Sequence, residues 1–316
     1  MTANPLPTRS LGEATEGQVY DSLPIDLDSP LVLDKATRDK LVLLDPSCAP
    51  FIRQAIGPQA IRRWHYARPE HWLIAIPRGW TAATLGRELT PAQALEALGQ
   101  RHAALAAHLA RHEQPLRERA ASPLWWELPP YPVDFFAAQS IIWAAEAPLR
   151  AAPSLAGVYL LAGITLTTAP TTFLLGALGS RRVEAAAAAL PSLGSDDSFR
   201  LPIPQPSEQA QARIGDLAEQ LVIQARDRAE LERDTLRKIM RDLTPAGATP
   251  GPRMARWWDL SFADFEAELV ARFASQLPFR YRDGWAKLLN ERRVQHQVHD
   301  ATMAGLEAEL EACMAG

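Results

Sequence analysis

Leu124-Trp125-Trp126-Glu127-Leu128-Pro129-Pro130-Tyr131 opens the stretch around which this chain is organised, residues 123–206. Two short apolar runs follow it, Ser140-Ile141-Ile142-Trp143 and Gly157-Val158-Tyr159-Leu160-Leu161. Short apolar runs rich in β-branched and aromatic residues and bounded by turn formers read as strands. Residues 164–168 offer a third. Thr171 or Thr172 can cap the helical Phe173-Leu174-Leu175-Gly176-Ala177-Leu178, which carries on into 184–190 across a weak point at Gly179-Ser180. Leu201-Pro202-Ile203-Pro204-Gln205-Pro206 closes the stretch, because closely spaced prolines cannot continue a helix.

Beyond that closure, Ile214, Leu217, Leu221, Ala225, Leu231, Leu236, Ile239, Met240 and Leu243 recur, mostly three to four residues apart. The spacing predicts one long amphipathic helix over 207–243 whose apolar face needs a partner surface. A Gly/Pro linker follows at 245–252, and further helices are expected over 261–275 and 280–312. Upstream, residues 1–30 mix Pro, Thr, Ser, Gly and acids without a period and read as a flexible lead-in. Structure is expected to begin at Leu31-Val32-Leu33, with Asp34 capping a helix over 35–43. Asp45-Pro46-Ser47 reads as the start of another helix, with Ala49, Ile52 and Ile56 at helical spacing and Gly57-Pro58 as its stop. Ile61-Arg62-Arg63-Trp64-His65-Tyr66 and His71-Trp72-Leu73-Ile74-Ala75-Ile76 read as neighbouring strands or a hairpin. Thr90-Pro91 starts a helix reaching about residue 118, which Pro115 should kink or end.

The composition bounds the function. With 316 residues, 47% apolar and 22% charged, the chain can bury one large core or two small ones. A net charge of -4 and a pI near 6.0 do not announce a nucleic-acid binder, although a local basic groove can sit in an acidic chain. Only Cys48 and Cys313 are present, without metal-ligand spacing, which points to a reducing compartment without disulfides or zinc. The polar N-terminus and the lack of a long apolar run give the expectation of a cytoplasmic protein.

Candidate chemistry can be weighed residue by residue. Leu128-Pro129-Pro130-Tyr131 has the shape of the Asn/Asp/Ser-Pro-Pro-aromatic tetrad of amino-group methyltransferases, in which the first side chain accepts a hydrogen bond from the target amine. Leucine accepts none, so a packed Pro-rich turn is the better reading. No Gly-rich loop stands between a strand and a helix to hold a nucleotide or S-adenosylmethionine. His108 and His112 lie one helical turn apart but lack a third ligand, so no metal site is expected. Asp134 and the Asp196-Asp197 pair lack the lysine partner of a nuclease site. Arg62-Arg63-Trp64-His65 interleaves cations with aromatic rings, and Arg181-Arg182 follows the helix near Gly179. Such groups can hold phosphates or read guanine edges.

Taken in order, these residues resemble the TaqI-like C-terminal specificity domain of type IIG and BREX-type adenine-specific DNA methyltransferases. The resemblance rests on Leu31 to Leu43, Ile61 to Trp64, Trp72-Leu73-Ile74, Trp125-Trp126-Glu127-Leu128 with Ile141-Ile142-Trp143, Phe173 to Ser180, and Leu201-Pro202-Ile203-Pro204 before the long helix. It spans about residues 31–245, and Arg256-Trp257-Trp258-Asp259-Leu260 is similar to the helical tail of the same enzymes. The sequence departs from the family at Gly57-Pro58-Gln59-Ala60, where a basic residue is missing, and at Gly179, where the family often has Asn.

The resemblance implies an α+β fold, with a mixed-sheet target recognition domain (31–205), a long helical arm (206–245), a linker (246–255) and a C-terminal helical tail (256–316). It implies sequence recognition for restriction-modification or phage defence, directing N6-adenine methylation. S-adenosylmethionine would be bound by a partner catalytic subunit or domain docked on the 207–243 helix, and this chain would carry neither cofactor nor catalytic group. The expected DNA-binding residues are Arg62, Arg63, Trp64, His65, Arg181 and Arg182. Two alternatives stand beside this: a complete or degenerate adenine methyltransferase, and a helical interaction protein that does not touch DNA.

Overall fold

The computed structural model describes residues 6–86, 89–120, 122–131 and 136–315. Asp134 lies outside them, as does the start of the lead-in, residues 1–5. The described elements run β1 (Thr8–Ser10), α1 (Leu11–Ala14), β2 (Val19–Asp21), β3 (Val32–Leu33) and α2 (Lys35–Leu44), then a 3-10 stretch (Pro46–Phe51) and β4 (Ile52–Ile56). Next come β5 (Ile61–Arg62), β6 (His65–Tyr66), β7 (His71–Ile74), α3 (Trp80–Thr84), α4 (Pro91–Arg101), α5 (Ala103–Arg111) and α6 (Glu113–Arg119). The middle of the chain supplies β8 (Ser140–Ala144), β9 (Ala152–Ser154), β10 (Tyr159–Leu160), β11 (Ile164–Thr167), α7 (Thr172–Leu178), α8 (Arg181–Ala187), α9 (Ser195–Ser198) and β12 (Pro202–Pro204). The last part is helical: α10 (Glu208–Leu243), α11 (Pro252–Ala255), α12 (Phe262–Phe273) and α13 (Phe279–Ala315).

The fold is α+β with mixed pairing. One sheet has the order β10-β4-β7-β3, with β10 parallel to β4 and the other pairs antiparallel. A second, antiparallel throughout, has the order β2-β11-β8-β9. This second sheet is a partition. Side chains alternate across a strand, so Ile142, Ala152 and Leu166 enter one core with the first sheet, while Ile141, Trp143 and Val19 enter another with α7, α10 and α13. Each fully buried aliphatic or aromatic side chain contributes roughly 1.5–3 kcal/mol, so both faces stabilise the partition strongly. A third cluster, with Trp257, Phe265 and Leu289, lies at the far end of α10.

Long helix α10 begins where Ser207 caps it, accepting from Ala210 N, and its apolar stripe is filled from within the chain. Ile214, Leu217, Ala218, Leu221 and Ala225 pack into the second core together with α7 and with Met303, Leu310 and Met314 of α13. Close approach of α7 to α10 depends on glycine: a Cβ on Gly176 would lie 2.6 Å from Ile214 Cγ2, and one on Gly215 would lie 2.4 Å from Thr172 Oγ1. The expectation that this stripe awaits another polypeptide is therefore corrected, because α7 and α13 already cover it.

Other expectations also change. Residues 8–21, read as lead-in, are ordered into two strands around α1: Thr8 pairs with Pro204, Ser10 with Pro202, and Val19 with Thr167. Their partners lie far along the chain, so no local period reveals them. Residues 45–56 form a 3-10 stretch and then a strand rather than a helix; Ile52 and Ile56 are four apart, a spacing that suits a strand face as well as a helix face. Pairing with β7, Ile52 to Ile74 and Ala55 to His71, settles the choice. The helix expected to reach residue 118 breaks at His102 and His112, where the backbone leaves the α-region. Pro115 sits in the first turn of α6, where its missing N–H has no intrahelical partner to lose. The cap at Asp34, the cap at Thr90 with Pro91, the strand 140–144 and the cap at Thr171 stand as expected. The helix expected to carry on across Gly179-Ser180 instead ends at Leu178, and Ser180 caps a new one over Arg181–Ala187 by accepting from Val183 N. Among the described residues no helix is long and apolar enough to cross a membrane.

Candidate nucleic-acid interface

The β5–β6 hairpin turns on Arg63-Trp64, and Trp64 adopts φ +71°, a left-handed backbone that non-glycine residues seldom hold. Several interactions fix it there. Its N–H donates to Ala151 O at 2.9 Å, its Nε1 donates to Glu307 Oε1 at 2.9 Å, and its ring is fully buried in the second core. Gly179 closes the pocket around the ring, since a Cβ at that position would lie 2.0 Å from Trp64 Cη2. Arg63 completes the clamp. Its guanidinium stacks 5.5 Å over the Trp64 ring, donates to Gly179 O, and lies 3.7 Å from Glu184. Nε of Arg63 is 3.2 Å from Glu307 Oε1, an ion pair by distance whose angle is too poor for a hydrogen bond.

The hairpin thus divides the expected DNA-binding residues. Arg63 and Trp64 face inward and staple the hairpin to α7, α8 and α13, so Trp64 has no ring face open to a base. Arg62 and His65 belong to the other side, where a groove of about 600 Å3 separates residues 62–70 from α10. Tyr66, Leu155, Leu236 and Trp258 give it apolar surface, and Arg62, Arg68, Arg226 and Arg233 give it cations. Arg62 folds back on Gln59 O and Ile61 O, leaving its charge unpaired. Among the described residues, Arg62, Arg68 and Arg226 are exposed and have no carboxylate within 4.0 Å, whereas Arg233 lies 3.6 Å from Glu230 and 3.3 Å from Asp234. Glu232 is also committed, to His296 at 2.9 Å and Arg228 at 3.5 Å.

His65 is buried, and that burial pushes its imidazole below the usual histidine pKa, with Arg228, Arg62 and Arg226 adding to the effect against the Arg63 carbonyl. It is neutral at pH 7 and adds no cation to the groove. Arg181 and Arg182 do not line it. Ser180 caps α8, the Arg181 N–H donates to Glu311 Oε1 at 2.6 Å, and Arg182 reaches Leu6 O at 3.5 Å. Arg68, Arg226 and Arg233 are the groove cations that sequence reasoning missed. Arg226, Glu230 and Arg233 are spaced four and three apart, which puts them on one helix face, and that was the available signal.

The Pro-Pro-Tyr segment is structural. Leu128 is buried, and its N–H donates to Ile76 O at 2.9 Å. Tyr131 packs edge-on against Phe136 at 5.2 Å, and burial pushes its phenol pKa up, helped by the Tyr159 hydroxyl. His108 is buried with Nε2 3.1 Å from Pro30 O, and no group of three His, Cys, Asp or Glu that could hold a metal occurs among the described residues.

Residues 207–314 match the family model described as a domain of unknown function, DUF8810. No curated protein matches the chain. A solved structure of the Type IIL restriction-modification enzyme MmeI in complex with DNA aligns at a TM-score of 0.41 and 10% identity, over 93% of this chain. The chain spans 36% of the length of that one, and a likeness of this size decides neither the fold nor the site.

Proposed function

We propose that this chain is the DNA-recognition component of a restriction-modification or BREX-like system, directing adenine methylation performed by a partner catalytic subunit or domain. The observation that carries the reading is the groove between the β5–β6 hairpin and α10, where Arg62, Arg68 and Arg226 stand unpaired over an apolar floor. Unpaired arginines spaced along a groove suit successive phosphates, and Tyr66 and Trp258 offer aromatic surface beside them. Support also comes from the ordered resemblance of residues 31–245 to target recognition domains. In this reading Arg62 touches DNA directly, Arg63, Trp64 and Gly179 hold the hairpin that presents it, and residues 31–205 form the recognition unit. A catalytic partner would dock on the outer surfaces of α10 and α13, because the inner ones are filled.

Fluorescence anisotropy with duplex DNA over a salt series tests this. The triple variant R62A/R68A/R226A should bind more weakly, and its log K against log salt slope should fall by about 0.9 for each phosphate that is no longer neutralised. An unchanged affinity and slope in a folded triple variant would remove the groove as the interface.

A further inference from the structure

A separate hollow of about 390 Å3 opens on the other core and shares no lining residue with the groove. Its walls are apolar, from Ile25, Leu31, Leu116, Trp125, Leu128 and Pro130. Polar groups gather at its margin, chiefly Arg78, Arg119 and Asp26. The size falls in the range of small-molecule sites, and an apolar body with a few convergent polar groups is their usual construction.

This space is held open by its floor. Glu127 is buried, and its two carboxylate oxygens accept from Gly79 N and Thr81 N at 2.8 Å each. Trp126 Nε1 donates to Thr81 Oγ1 at 3.0 Å, and Leu128 N to Ile76 O at 2.9 Å. Pro129 and Pro130 then continue the wall with fixed backbone angles. Collapse to fill the hollow would break these hydrogen bonds and leave their donors and acceptors unpaired in a buried setting, which opposes it. Trp125 adds a second sign of an unfilled site: its indole nitrogen is buried with no acceptor among the described residues.

The charges indicate what fits. Both oxygens of Glu127 are engaged, and Arg119 is shared with Asp28 at 3.3 Å. Arg78 is exposed and, among the described residues, has no hydrogen bond or ion pair. We infer that the hollow binds a small aromatic anion, with its ring between Leu116 and the Leu128–Pro130 wall and its anionic group on Arg78, assisted by Arg119. Asp26 opposes that charge from the same margin.

The intact protein can be titrated with 8-anilinonaphthalene-1-sulfonate, an aromatic anion, using its fluorescence and calorimetry as readouts. One saturable site is expected, weakened about three- to five-fold by Arg78→Ala, an exposed position whose loss leaves the fold alone. Asp26→Asn should tighten binding, and N-phenyl-1-naphthylamine, which lacks the sulfonate, should bind more weakly and be indifferent to Arg78→Ala. Leu116→Trp should abolish the site by filling it. Absence of saturable binding, or equal binding by wild type and Arg78→Ala, overturns the proposal. DNA binding of Arg78→Ala should match wild type, so failure of this inference and failure of the groove reading are separately visible.

Discussion

Substituting alanine for Gly179 sets a steric penalty against a conformational gain. The residue ends α7 with φ -81° and ψ -4°, a right-handed conformation that alanine adopts freely. On backbone grounds alone, Gly179→Ala should stabilise the protein by about 0.4–1 kcal/mol. Against this, the new methyl would lie 2.0 Å from Trp64 Cη2 and 2.6 Å from both Cζ2 and Cζ3. The indole cannot easily retreat, since its Nε1 is bound to Glu307, its backbone is held in the left-handed region, and Arg63 covers its face. Overpacking of this kind costs about 1–3 kcal/mol, and approaches this short belong at the upper end, for a net loss of about 2 kcal/mol. Thermal and urea unfolding would measure it, with Tm expected to fall by roughly 3 °C. Trp64→Phe removes the outer ring atoms that the methyl meets, so the double variant should be less destabilised than the sum of the singles by about 1 kcal/mol. An unchanged or raised Tm in Gly179→Ala, or strict additivity, would refute the account of how the hairpin is clamped.

Arg63→Ala should destabilise the fold by about 1–3 kcal/mol in urea unfolding, because it takes the Arg63 donor from Gly179 O and leaves Glu307 with Trp64 but without its cation, yet it should leave the salt slope of DNA binding unchanged, in contrast to Arg62→Ala. Glu127→Ala should cost a similar amount by orphaning the N–H groups of Gly79 and Thr81; a neutral result would show that these hydrogen bonds do not hold the Trp125–Pro130 wall. His65 and His108 both have pKa values lowered by burial, so their neutral forms favour the fold. Their contribution is therefore fully present above the unfolded histidine value of about 6.5 and is lost as pH falls toward the lower folded values. The urea midpoint should drop between pH 7.5 and pH 5, and replacing both by Gln should flatten that slope; an unaltered slope would count against it. Isothermal titration with S-adenosylmethionine should give no heat of binding, since the sequence has no Gly-rich loop between a strand and a helix to hold it, and measurable affinity would favour the methyltransferase alternative.

The sequence alone determined what is local. Proline closures, capping residues and the three-to-four spacing after residue 207 are short-range physics, and they placed the caps at Asp34, Thr90 and Thr171 and the whole of α10. Arg62 could be picked out as a candidate because a cation beside aromatic residues is visible in one line of text. The tertiary structure decided everything that depends on a partner distant in the chain. It made Thr8–Ser10 and Val19–Asp21 strands through pairing with β12 and β11, and it turned residues 52–56 from helix to strand through β7, where a spacing of four serves either period. It also buried the apolar face of α10 against α7 and α13 and sent neighbouring hairpin side chains to opposite sides. Arg63 and Trp64 became clamps and Arg62 a groove cation, because alternation along the hairpin cannot say which side is core until Gly179, Glu184 and Glu307 arrive from elsewhere to cover one of them.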